Sequence, residues 1–249
     1  MATEVKLVLI TGANQGIGFE TAKELLLSDI YHVIVGSRDP VKGEEAAKTL
    51  QATPGIKGSV SSIQIDVTDD KSVDSAAAQI GSQYGRLDIL VNNAGINILT
   101  KSPDREALCK ILDVNVVGSL STTEAFLDLL RKSSEKRLVF VSSSMGSIAH
   151  AADPTSIYYR PQGTEYRTSK AAVNMMMVMY MARLKDEGFK VFAADPGLCA
   201  TNLIGDLQSL RQRNAAEPAD GGQRVAAVVK GEKDADAGKV LGVYGVCPF

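Results

Sequence analysis

The chain has no tryptophan, two histidines and three cysteines in 249 residues, and aromatic side chains make up only 5% of it. His32 and His150 are too few to build a metal cluster at ligand spacing. Cys109, Cys199 and Cys247 stand far apart with no CxxC pair. That excludes a disulfide framework or a zinc ribbon and predicts reduced thiols in a cytoplasmic protein. No Lys/Arg block is present and the formal net charge is -2, which argues against a nucleic-acid partner. No apolar run approaches the roughly 20 residues of a membrane span. The start, Met1-Ala2-Thr3-Glu4, lacks the basic and apolar regions of a signal peptide, and Cys247 stands third from the end, out of place for prenylation. The expectation is a soluble chain with neither membrane nor nucleic acid as partner.

What is present is an ordinary globular composition, 45% hydrophobic, with no internal repeat and no linker. One domain over residues 1–249 is expected. Short apolar runs recur at Lys6–Ile10, Tyr31–Gly36, Val60–Ile65, Leu87–Val91, Arg137–Val141 and Lys190–Ala194. Such runs suit strands buried on both faces of a parallel sheet. Helical patterns separate them, including a long one from Asp104 to Lys132 and another through Lys185. A further helix near Ala219–Lys230 and a short strand at Lys239–Tyr244 end the chain. This alternation predicts an α/β fold, a Rossmann-like doubly wound parallel sheet. Ile148–Gly163 reads as loop and Thr201–Asn214 as a polar lid. Met175, Met176, Met177, Met179 and Met181 read as core or subunit-contact packing.

Thr11-Gly12-Ala13-Asn14-Gln15-Gly16-Ile17-Gly18 follows the first strand and opens a helix, the context a dinucleotide-binding turn needs. Its spacing is GxxxGxG, which lets backbone approach a pyrophosphate at a helix N-terminus. At the end of the second strand Ser37 stands where an Asp or Glu would hold a ribose 2′-hydroxyl. Arg38 follows with a guanidinium suited to a 2′-phosphate, which favours NADP. Asp66 either meets adenine or caps the next helix. Asn92-Asn93-Ala94-Gly95 offers small and amide residues at a strand end. Asn115 lies inside a helical pattern that disfavours it, so it is exposed or has a task. Tyr166 and Lys170 lie four apart on one helix face, where an ammonium can lower the pKa of a phenol.

In order, the motifs TGANQGIG, NNAG, VNVVG, SSSMG, YRTSK and DPGLCAT resemble those of the short-chain dehydrogenase/reductase family, with the character of an NADPH-dependent carbonyl reductase. The resemblance runs from Lys6 to about Tyr244. It implies a catalytic tetrad of Asn115, Ser143, Tyr166 and Lys170, with Ser143 chosen over Ser142 and Ser144 by the S-x-x-G pattern. It also implies that Gly12, Asn14, Gln15, Gly16, Ile17 and Gly18 meet the pyrophosphate and that Ser37 and Arg38 meet the 2′-phosphate. Asp66 and Val67 would border adenine, and Asn93, Ala94 and Gly95 the ribose. Pro196, Gly197, Leu198 and Thr201 would flank the nicotinamide end. In these roles Tyr166 is the general acid, Ser143 stabilises the carbonyl oxygen, and Lys170 lowers the phenol's pKa and holds the ribose. Asn115 would hold a water leading to Lys170.

The implied activity is NADPH-dependent reduction of a small ketone or aldehyde, a ketoreductase reaction. An NAD(P)-dependent secondary-alcohol dehydrogenase and a non-catalytic nicotinamide sensor are the alternatives. Substrate loops are expected at 94–101, 148–165 and 198–212, and the resemblance implies a homodimer or homotetramer, with a monomer left open. Two departures stand out. Gln15 replaces a basic residue common in NADP-dependent relatives. Also, 22 residues separate Ser143 from Tyr166, about ten more than is usual. Tyr158 and Tyr159 fall in that stretch, but Gln162 and Gly163 stand where a lysine would be needed.

Overall fold

The first strand, β1 (Lys6–Ile10), sends Leu7 and Leu9 to one face and Val8 and Ile10 to the other, all buried. A strand apolar on both sides has to be covered on both sides, and that requirement shapes the rest of the chain. The computed structural model describes residues 4–249, so Met1–Thr3, on which the expectation of no signal peptide partly rests, lie outside the described residues.

After β1 come α1 (Gly16–Leu26), β2 (Tyr31–Ser37), α2 (Pro40–Gln51), β3 (Ser59–Gln64), α3 (Asp70–Tyr84) and β4 (Ile89–Asn92). The second half holds α4 (Arg105–Leu112), α5 (Gly118–Arg131), β5 (Arg137–Val141), α6 (Ile148–Ala152), α7 (Thr164–Leu184), β6 (Lys190–Ala194), α8 (Leu207–Gln212), α9 (Pro218–Val229), β7 (Val240–Gly242) and β8 (Gly245–Cys247). All eight strands form one sheet in the order β3-β2-β1-β4-β5-β6-β7-β8. Every pair is parallel except β7 with β8. The order reverses between β1 and β4, and ligands of such sheets bind outside the carboxyl ends at that point. One core packs Leu9, Ile34 and Phe140 against Ile80, Phe126 and Tyr180 from α3, α5 and α7. The other packs Val8, Val35 and Phe192 against Leu25, Leu50 and Val225 from α1, α2 and α9. The chain is thus the doubly wound α/β domain its sequence predicts.

Local chemistry sets the helix starts. Asp39 accepts hydrogen bonds from the amides of Val41 and Lys42, with Pro40 opening α2. Asp69 caps α3 and Asp104 caps α4 in the same way, each leaving one fewer unpaired amide. The N-terminus of α1 differs. Gln15 makes no side-chain cap and no acid stands in the first turn, so its amides stay available at the sheet's carboxyl edge.

Four expectations need correction. The Asp104–Lys132 pattern is not one regular helix, because Asp113–Val117 forms a π-helical turn that brings Asn115 inward. Ile148–Gly163 is not all loop, since it opens with the short helix α6. Thr201–Asn214 likewise contains α8, capped by Asp206. The chain also ends in a β7–β8 hairpin rather than a single strand. The methionine stripe divides by face. Met177 is core, Met176 and Met181 pack against it, and Met175 and Met179 are exposed.

At the far end of β5 the side chain of Arg137 is 1% exposed. Its guanidinium donates to Glu135 Oε1 at 2.8 Å, Asp234 Oδ1 at 2.7 Å and the Val228 carbonyl at 3.0 Å. Lys6 and Lys190 complete the chain of charges through Glu135 and Asp234. Removing one partner of a buried ion pair strands the others in a low-dielectric place. Arg137→Ala is expected to destabilise the fold by roughly 3–5 kcal/mol, read as a lowered urea midpoint with an unchanged slope.

Candidate active site

Three serines follow β5, and the structure separates them. Ser142 is buried and donates to Asn174 Oδ1 at 2.5 Å. The Ser144 amide donates to Asp195 Oδ2 at 2.7 Å, and its side chain lies against Gly242. Ser143 is half-buried. It caps the 3₁₀ turn Ser144–Gly146, its Oγ accepting from the Met145 amide at 3.2 Å. Its hydroxyl proton is therefore left to donate to the Tyr166 oxygen.

That turn rests directly on α7. A Cβ added to Gly146 would come within 2.5 Å of the Lys170 carbonyl carbon and 2.7 Å of the Ala171 nitrogen. The glycine of the S-x-x-G spacing thus allows Ser143 to reach the Tyr166–Lys170 face. Lys170 Nζ donates to the Val141 carbonyl at 2.9 Å and lies 5.6 Å from the centre of the Tyr166 ring. Asn115 makes no hydrogen bond to Lys170 among the described residues. Its Oδ1 accepts from the Ile96 amide at 2.8 Å, and its Nδ2 donates to the Ile96 carbonyl and to Ser169 Oγ, both at 3.0 Å. It braces the end of the β4 segment against the helix that carries Lys170. This is the buried task a mid-helix asparagine called for.

The electrostatics correct one expectation. Lys170 was expected to lower the phenol's pKa, whereas Tyr166 is pushed upward. Burial is the main cause and the Asp195 carboxylate adds to it, while a hydrogen bond with Ser143 works the other way. Burial also pushes Lys170 down to about 8, partly offset by Asp195. Both shifts follow from removing charge from water. Tyr166 is therefore held as the protonated phenol across neutral pH, the form that gives a proton away.

Asp195 is a site residue that sequence reasoning missed. It is 4% exposed, and its two oxygens accept from the amides of Ser144, at 2.7 Å, and Gly197, at 2.8 Å. It ties the serine turn to the Pro196-Gly197 turn. The bond to Gly197 is a local turn contact, readable from the Asp-Pro-Gly spelling. The bond to Ser144 spans 51 residues and left no local signal.

The predicted cofactor residues gather at the switch point. Gly12 and Gly16 have φ of +63° and +60°, a conformation that favours glycine. A Cβ on Gly18 would sit 2.5 Å from Asn93 Nδ2. Asn93 in turn donates to the carbonyls of Thr11 and Gly12 at 2.7 and 3.2 Å, and the Ala94 amide donates to Thr11 Oγ1 at 3.0 Å. Asn14, Gln15 and Ile17 complete this turn. Ser37 is buried and donates to the Asp39 carbonyl, whereas Arg38 is exposed and makes no ion pair among the described residues. Asp66 accepts from the amide and hydroxyl of Thr68. Since Asp69 is the cap of α3, Asp66 remains beside Val67 at the sheet edge. Gly95, Leu198 and Thr201 lie on the loops around the same edge, and a Cβ on Gly16 would meet Thr201 at 3.9 Å. An uncapped helix N-terminus, a close-packed glycine turn and an unpaired cation fit a phosphorylated dinucleotide.

The chain matches the short chain dehydrogenase family over residues 6–212. It belongs to that family, oxidoreductases that use a nicotinamide cofactor and act on CH–OH or C=O groups. It is 36% identical to the short-chain dehydrogenase/reductase tropE of Talaromyces stipitatus, over 96% of each chain. It is 39% identical to the short-chain dehydrogenase anuI of Penicillium roqueforti, over 85% of this chain and 86% of that one. The structure superposes on an NADPH-bound carbonyl reductase from chicken fatty liver with a TM-score of 0.83 and 26% identity, covering 99% and 100% of the two chains. Among the described residues no helix is long and apolar enough to cross a membrane.

The lysine shift carries a stability consequence. Lys170 binds its proton less tightly in the folded chain than in the unfolded one, whose lysine titrates near its ordinary 10.5. Between about pH 8 and 10.5 the unfolded state holds more protons, so stability rises with pH across that window. Lys170→Met is expected to be inactive yet to melt higher than the native protein at pH 7. The difference should shrink between pH 8 and 10.5, measured by thermal melts of the cofactor-free protein.

Proposed function

We propose that this chain is an NADPH-dependent carbonyl reductase, a ketoreductase that converts a ketone or aldehyde to an alcohol. The observation that carries this reading is the half-buried Tyr166 phenol, held protonated on the same helix face as the buried Lys170 and hydrogen-bonded by the Ser143 hydroxyl. Reduction needs a proton donor at the carbonyl oxygen, and this arrangement supplies one. The bound cofactor would provide the hydride that adds to the carbonyl carbon.

Ser143 donates a hydrogen bond to the carbonyl oxygen, stabilising the negative charge that grows there. Tyr166 gives its hydroxyl proton to that oxygen as general acid. Lys170 would hold the cofactor's ribose hydroxyls and support return of the proton to Tyr166, and Asn115 would place the water that leads to solvent. Gly12, Gly16 and Gly18 with the first turn of α1 would receive the pyrophosphate, and Asp66 and Val67 the adenine. Arg38 would receive the 2′-phosphate, a role supported by its exposure and free guanidinium and by the NADPH carried by the similar carbonyl reductase. Residues 94–101, 148–165 and 198–212 would form the walls of the substrate site.

Oxidation of NADPH, and separately of NADH, with a mixed panel of ketones and aldehydes tests the reading. Turnover with NADPH is expected, and Tyr166→Phe should lower kcat by about 10²–10⁴-fold. Tight NADPH binding without turnover on any carbonyl would favour the sensor alternative. Activity indifferent to Tyr166→Phe would remove the proposed mechanism.

Arg38→Gln separates the cofactor assignment from the chemistry. Loss of a hydrogen-bonded charge contact of about 1.5–3 kcal/mol corresponds to roughly a ten- to hundredfold fall in kcat/KM for NADPH. The value for NADH should hold, and an equal fall with both cofactors would place the 2′-phosphate elsewhere.

A further inference from the structure

The residues on either side of Tyr166 are buried and charged, and neither faces the reacting atoms. Glu165 is 2% exposed. Its Oε1 accepts from the Asp104 amide at 2.6 Å and from Thr100 Oγ1 at 3.2 Å. Arg167 is 9% exposed, and its Nη1 donates to the carbonyls of Tyr158 at 2.8 Å and Arg160 at 3.3 Å. The first turn of α7 is thus bonded to both segments that enclose the approach to Tyr166: the stretch after β4 through Glu165, and the lengthened stretch after α6 through Arg167.

Apart from the Asn115–Ile96 bonds at the start of the first segment and the packing of Tyr158 on His150 in the second, both segments are held loosely. Leu99 is 68% exposed, and Ile157 and Tyr159 are 62% and 52% exposed. The lengthened segment also lies over a cavity of about 310 Å³, lined by His150, Tyr158, Gly242, Tyr244 and Cys247 among others. A loop with little apolar anchorage takes much of its position from its polar ties. Here the backbone of the lengthened segment is tied to the guanidinium next to the candidate proton donor, and the β4 segment to the carboxylate on its other side. A guanidinium presents several donors in a fixed fork and can hold two carbonyls at once, which an ammonium does less well.

We propose that Glu165 and Arg167 are positioning residues that fasten the two walls of the substrate mouth to the helix carrying Tyr166, and so determine the size of carbonyl compound admitted. This rests on the reductase reading for its substrate and on the hydrogen bonds alone for its geometry. It also assigns a purpose to the additional residues between Ser143 and Tyr166. They form a wall whose position is set from α7 rather than from the core.

The test has two arms on the full chain. In the first, Arg167→Ala, Arg167→Lys, Glu165→Ala and Glu165→Gln are compared with the native protein on propanal, benzaldehyde, 1-tetralone and 9-fluorenone with NADPH. For both alanine variants the ratio of kcat/KM between the bulkiest and smallest compounds turned over should shift at least tenfold, mainly through KM. Glu165→Gln, which keeps an acceptor oxygen, should restore most of the native ratio, and Arg167→Lys only part of it. A loss by the same factor on every compound, or no loss, overturns the assignment. The second arm is amide hydrogen exchange, which needs no turnover. Arg167→Ala should speed exchange in residues 153–163, and Glu165→Ala in residues 97–104, with the core strands unchanged. Unaltered exchange in both segments overturns the fastening. If no compound is reduced even by the native protein, the reductase reading fails, and the exchange result still decides whether the ties exist.

Discussion

The site depends on one close approach, the seating of the turn after β5 on the backbone of α7. Gly146 permits it, because any side chain there would strike the peptide between Lys170 and Ala171. With the turn seated, Ser143 faces Tyr166, and Ser142 and Ser144 are committed to Asn174 and Asp195. The Val141 carbonyl is then placed to hold the Lys170 ammonium. A packing constraint in the backbone thereby fixes the order of three hydrogen-bonding side chains.

The burial that makes this packing possible also sets the chemistry. Lys170 and Tyr166 share one face of α7, and the turn buries the lysine and half-buries the phenol. Each is driven toward its neutral form, the lysine down and the phenol up. A buried Asp195 between the two turns reinforces the phenol and partly restores the lysine. The carboxylate thus acts twice, as a clamp through its two amide bonds and as a fixed negative charge near two titrating groups. An apolar residue at this position would leave the buried Ser144 amide without a partner, at a cost of roughly 1–3 kcal/mol, and the half-buried Gly197 amide without its turn bond.

Much of this was legible in the sequence, for a physical reason. Strands buried on both faces must be continuous apolar runs, and glycine turns at a sheet's carboxyl edge have a fixed spelling. β1, β5 and β6 therefore lie where the apolar runs place them. The Tyr166–Lys170 pair was visible as helix periodicity, and Ser143 as a spacing from Gly146. What escaped were contacts between residues distant in sequence and close in space. The Asp195–Ser144 bond, the Glu165–Asp104 bond and the β7–β8 hairpin have no local period to reveal them. The π-helical turn at Asn115 was half visible, as an amide in an unfavourable place, but only the fold shows that it faces Ile96 and Ser169.

The sign of the tyrosine shift is the instructive failure. Sequence spacing gives the neighbour of a group but not its solvent, and an ammonium helps a phenolate only when its field outweighs desolvation. In this chain it does not, because the ammonium is turned to the Val141 carbonyl and desolvation of the half-buried phenol dominates. The same spacing on an exposed helix would have produced the opposite shift. A motif specifies which groups meet, whereas the depth of the cleft around them decides which proton each one keeps.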